Sequence, residues 1–127
     1  MSALDGFKPF NFNEGVPYVS VTYNGVTFNK SVVMKLGYPK HVVLLIDEES
    51  KQIAIKICDE SYPNATTFYR GNNPKVISVR WNGRDLLNTI QSMMSWDLSK
   101  CGYRTEGTLL KEEGAMLFNL AAATELK

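Results

Sequence analysis

The sequence predicts an α+β protein made of two pseudo-twofold-related strand-strand-helix-hairpin halves, which together form one small antiparallel barrel or sheet with packed helices. Three observations predict it. The segment Val19-Ser20-Val21-Thr22-Tyr23-Asn24-Gly25 returns as Ile77-Ser78-Val79-Arg80-Trp81-Asn82-Gly83, with four of the seven positions identical and two conservative. A stretch of helical apolar spacing follows each copy. Two strand-like runs then follow each helix, joined by turns that carry the paired acids Glu48-Glu49 and Glu112-Glu113. With 127 residues the chain can bury one core, whereas a half of this size cannot, so the halves are expected to complete each other in a single domain.

Residues 1–15 mix Phe7, Phe10 and Phe12 with Gly, Pro and Asn, too irregular for a helix and too aromatic for a plain tail. An arm docked on the body is expected. In the first half, residues 16–58, Val19, Val21 and Tyr23 alternate with Tyr18, Ser20 and Thr22, the period of a strand with one buried face. Asn24-Gly25 has the composition of a type I′ turn, and Val26-Thr27-Phe28 is the return strand. Asn29 or Ser31 caps a short helix with Val32, Val33 and Leu36 on one face, and Gly37 ends it in the left-handed conformation. Val42 to Ile46 is aliphatic and Gln52 to Ile57 alternates; with the acidic turn between them they make a second hairpin.

Two prolines, three asparagines and a glycine mark residues 59–74 as a linker, pinned by Phe68-Tyr69. In the second half, residues 75–121, Asn82-Gly83 leads from the strand Ile77 to Trp81 straight into a helix. Leu86, Leu87, Ile90, Met93 and Met94 share one face of it, and the stripe Leu87, Ile90, Met94, Leu98 and Cys101 carries it on through Trp96 and Leu98 to a stop at Gly102. Tyr103 to Leu110 and Ala115 to Leu120 then form the closing hairpin, and residues 122–127 a tail.

Hydrophobic residues at 44% and charged residues at 21% fit a globular domain, and no run approaches the roughly 18 apolar residues of a membrane helix. Met1 to Gly6 lacks the basic and apolar regions of a secretory leader, so a cytoplasmic protein with no membrane partner is expected. Cys58 and Cys101 stand far apart outside any C-x-x-C pair, which argues for reduced thiols over zinc or redox chemistry. His41 has no nucleophile or carboxylate at a recognisable spacing, and neither a Walker loop nor G-x-G-x-x-G occurs. The chain is expected to be no enzyme and to need no cofactor or metal.

Formal net charge is +1, yet the charges are unevenly placed. Lys30, Lys35, Lys40 and His41 lie in a stretch free of acids, as do Arg70, Lys75, Arg80 and Arg84 in another. These cations could neutralise phosphates, with Trp81 or Tyr23 available to stack on bases. The candidate nucleic-acid site is therefore Lys30, Lys35, Lys40, Arg70, Lys75, Arg80, Trp81 and Arg84. The competing reading is that these side chains only solvate the outer face of an edge strand. The methionine-bearing helix and the aromatic arm offer a second kind of partner, another protein or a second copy of the chain.

Gly25-Val26-Thr27-Phe28-Asn29-Lys30-Ser31-Val32-Val33-Met34-Lys35-Leu36-Gly37, followed by Val42 to Asp47 and Ile53 to Lys56, resembles the AbrB/SpoVT/MazE swapped-hairpin family. That pattern is a glycine-led strand, a short helix ending in Leu-Gly, an aliphatic strand, an acidic turn and an Ile-x-Ile-Lys strand. Val26-Thr27-Phe28-Asn29 lacks the arginine and proline that the family carries before its helix. The resemblance implies two interleaved units in one barrel, normally a homodimer and here fused in tandem. It also implies a small DNA-binding or antitoxin-like module of transcription regulation. The alternative is a non-catalytic protein-interaction module of a mobile element that binds no nucleic acid.

Overall fold

The computed structural model describes residues 3–6, 15–73 and 75–126, and its period-two segments form one antiparallel sheet. In chain order the elements are β1 (Tyr18–Thr22), β2 (Gly25–Phe28), α1 (Lys30–Lys35), β3 (His41–Asp47), β4 (Gln52–Ile57), β5 (Thr66–Thr67), β6 (Val79–Trp81), α2 (Arg84–Met94), β7 (Gly102–Leu110), β8 (Ala115–Asn119) and β9 (Thr124–Leu126). The strands follow the order β5-β3-β4-β8-β7-β1-β2-β6, and β9 lies on β7. Residues 103–106 of β7 pair with β1, and residues 107–110 pair with β8. One long strand thus belongs to both parts of the sheet.

The sheet curls until its two ends meet. β5 and β6 stand at opposite ends of the strand order, yet the Trp81 indole Nε1 donates to the Thr67 carbonyl at 3.2 Å. Behind this seam Phe28 packs edge-on against Trp81 and Phe68, with ring centroids 5.0 and 5.5 Å apart, and Phe118 lies 5.7 Å from Phe28. Such tilted arrangements are those that aromatic quadrupoles favour. Val19, Val21, Val26, Ile53, Ile55 and Met116 complete the interior, joined by Val32 and Val33 of α1 and by Leu87 and Ile90 of α2. The α+β class and the antiparallel sheet agree with the sequence reading.

Local chemistry predicts the helix of the first half and its ends. Asn29, not Ser31, caps α1: its Oδ1 accepts from the Val32 N–H at 3.2 Å and from the Tyr18 N–H at 3.0 Å. Its Nδ2 donates to the Val16 carbonyl at 2.8 Å, so one side chain ties the helix start to β1. Gly37 and Tyr38, at φ +79° and +58°, end the helix. In the linker, the Phe68 N–H donates to the Lys40 carbonyl at 2.7 Å and the Tyr69 N–H to the Pro39 carbonyl at 3.0 Å, which anchors β5 beside β3.

Three local expectations are corrected. The first concerns the hairpin turn: Thr22 pairs with Gly25, so the loop is Tyr23-Asn24, and neither residue has a positive φ. Gly25 opens β2 at φ +141°, and a Cβ there would lie 2.6 Å from the Trp81 carbonyl oxygen. The close approach of β6, not the turn, requires this glycine. Gly25→Ala is expected to lower stability by about 2–4 kcal/mol through backbone overpacking and a strained φ, read as a lower urea midpoint at unchanged m-value.

The second correction is that α2 ends at Met94 and does not run on through Trp96 and Leu98. Ser95 takes the left-handed conformation at φ 58°. Asp97 accepts from the Ser99 N–H and hydroxyl, a turn that competes with helix, and these bonds hold its carboxyl below the usual range. The chain folds back, so Leu98 is buried with its N–H on Gln91 Oε1 at 2.8 Å, while Trp96 stacks flat on Tyr103 at 3.9 Å. A hydrogen bond with the Cys101 thiol, followed by burial, pushes the Tyr103 hydroxyl up to about 12. Gly102 begins β7 in place of stopping a helix.

The third is that Thr124–Leu126 of the expected tail, residues 122–127, form β9 on β7. Phe7, Phe10 and Phe12 of the expected arm lie outside the described residues.

Candidate nucleic-acid interface

Strand alternation places Tyr18, Ser20 and Thr22 of β1 on the outer surface, opposite the buried Val19 and Val21. The register then builds a row across five strands. Arg80 on β6 stands opposite Thr27 on β2, Thr27 opposite Ser20 on β1, Ser20 opposite Arg104 on β7, and Arg104 opposite Thr124 on β9. At the usual strand spacing the two arginine backbones are about 14 Å apart. Only hydroxyl side chains stand between them. A groove of about 680 Å³ runs over this floor, lined among others by Tyr18, Ser20, Thr22, Thr27, Lys30 and Arg80.

The guanidinium groups here have neutral partners. Arg80 Nε donates to Thr27 Oγ1 at 3.2 Å, and the Arg104 guanidinium lies 4.7 Å from the centre of the Tyr18 ring. At the hairpin tip, Arg84 sits 5.4 Å from the centre of the Tyr23 ring. Among the described residues, a hydroxyl or a ring orients each of these guanidinium groups without neutralising it. Glu106, opposite Tyr18 and two residues from Arg104 on β7, is an acid on the same face. Asp85 follows Arg84 in the first turn of α2 and Glu125 lies on β9, while Asp47 is held in a turn. Asp47 accepts from the Glu49 and Ser50 N–H groups at 3.1 and 3.3 Å, and the bonds from Ser50 above all keep its carboxyl below the usual range.

The structure brings some of the predicted cations together. Lys30 and Arg80 share the groove, and Arg80 also lines a second one of about 410 Å³ with Arg70. Arg84 lies at the hairpin end of the same sheet region, beside Tyr23. Lys40 and Lys75 are exposed but line neither groove. Lys35 lies elsewhere, with Lys111, Ile57 and Leu109. Trp81, expected to stack on bases, points inward with Val79: its ring packs on Phe28 and Phe68, and its N–H closes the sheet.

Sequence reasoning missed Arg104 altogether and did not single out Tyr18, Ser20, Thr22 and Thr27. The outward set of β1 was readable from its alternation. No local signal tells that residues 103–106 pair with β1, and that pairing is what puts Arg104 on this face.

Among the described residues, no group of three or more His, Cys, Asp or Glu converges as metal ligands do, and no helix is long and apolar enough to cross a membrane. Comparisons of the chain with protein-family models, curated proteins and solved structures find no match.

Proposed function

We propose that the chain is a small nucleic-acid-binding regulatory module, DNA-binding or antitoxin-like in kind, that contacts phosphates through Arg80, Arg104, Lys30 and Arg70. One observation carries the reading: two exposed arginines in one cross-strand row flank a hydroxyl floor and are held by neutral partners. Phosphate binding needs such uncompensated donors, and hydroxyls add neutral ones. The relation to fused swapped-hairpin regulators and the pseudo-twofold pairing of halves belong to the same proposal. They are supported by the antiparallel β4–β8 pair with β3 and β7 outside it, and by the echoed strands β1 and β6, which both pair with β2.

A salt titration of DNA binding tests it. With four cations engaged, log affinity is expected to fall linearly with log salt at a slope of about −3. Absence of binding to both single-stranded and duplex DNA at low salt would sink the proposal. A second reading, a non-catalytic protein-interaction module, is favoured by the apolar side chains of Leu45, Ile46, Ile57 and Leu109, which are 36 to 46% exposed on β3, β4 and β7.

A further inference from the structure

Features beyond the arginine row narrow the ligand. Two Tyr–Arg pairs bracket β1: Arg104 over Tyr18 at its start, and Arg84 over Tyr23 just past its end. Tyr23 is 58% exposed, and both arginines are exposed. From Tyr18 to Thr22 the strand runs roughly 14 Å, and Tyr23 lies one residue beyond it in the turn, released from the strand's inward parity. Between the two tyrosines β1 turns outward only Ser20 and Thr22, and β2 adds Thr27. The short hydroxyl floor is therefore recessed between the taller side chains Tyr18, Lys30 and Arg80.

A recessed floor decides against duplex recognition. Reading a duplex groove calls for an element that protrudes into it, a helix or a two-stranded ribbon, and this face offers the converse. A single strand has exposed bases and can lie in a channel of this shape. Each Tyr–Arg pair supplies what such a base needs, a planar cation already oriented by a ring, with one face for stacking and an N–H edge for phosphate.

We propose that the ligand is single-stranded nucleic acid lying along β1, its bases stacked at the Arg104–Tyr18 and Arg84–Tyr23 pairs and its phosphates directed to Arg80 and Lys30. The span between the tyrosines accommodates at most about five phosphates at the spacing of a stacked strand. This inference rests on the nucleic-acid reading above and specifies its substrate.

Fluorescence anisotropy with three labelled probes of equal length tests it: an oligothymidylate, an abasic strand and a duplex. The oligothymidylate is expected to bind about tenfold more tightly than either of the others. Combining Tyr18→Ala with Tyr23→Ala is expected to remove roughly tenfold or more of that affinity while leaving the abasic strand unaffected, and the paired Tyr→Phe changes should retain it. If Tyr18→Ala fails to fold by circular dichroism, Tyr23→Ala on the exposed turn carries the test alone. Duplex binding as tight as the oligothymidylate, or a folded tyrosine variant with wild-type affinity for it, overturns the single-strand assignment and leaves phosphate binding standing. Failure of all three probes to bind at low salt overturns both.

Discussion

Phe28→Ala is expected to lower folding stability by about 3–5 kcal/mol, the cost of truncating a fully buried aromatic side chain. Phe28 is completely buried, and its ring touches Phe68, Trp81 and Phe118. These partners come from the segment after β5, from β6 and from β8, so a single side chain joins both ends of the sheet to its middle. Its loss leaves a cavity that three large rings on separate segments cannot close together. Urea denaturation followed by tryptophan fluorescence would measure the effect. A loss below about 1 kcal/mol, the level of an ordinary surface change, would show that the core is not organised around this residue.

The second large effect is expected on binding. Replacing Arg80 and Arg104 together with alanine should weaken nucleic-acid affinity by roughly a hundredfold or more, since each charge-assisted contact contributes about 1.5–3 kcal/mol. The salt slope should become shallower by about 1.4–1.8, the share of two phosphate contacts. Both side chains are exposed on the outer face, so stability should stay within about 0.5 kcal/mol of the parent. Lys111→Ala is the matched control, an exposed cation on a different groove. Equal losses for the control and the double variant would mean that binding follows overall charge and not this row.

How much of this was legible differs from residue to residue. Asn29 could be read as a cap because its partners lie three and eleven residues away, within reach of local chemistry. Gly25 was recognised as a required glycine for the wrong reason, because the group that excludes a Cβ belongs to β6, far along the chain. The end of α2 was missed because apolar spacing continues past Met94, while a side-chain turn at Asp97 and a left-handed Ser95 override it. Trp81 was a readable error: its place in the echoed segment matches the inward parity of Val19 and Val21. Arg80 and Lys30 were found by charge alone. Arg104 was not, because its position depends on a register between distant strands.

The seam between β5 and β6 has one more consequence. A strand edge left open presents unpaired amide and carbonyl groups, a template on which another chain can add. Of the sheet's terminal strands, β5 and β6 are only two and three residues long, and the curl turns each toward the other, with the Trp81 ring fastened across the gap to Thr67. The contact that shapes the core thus also draws two short edges together, and one indole spans the gap between them.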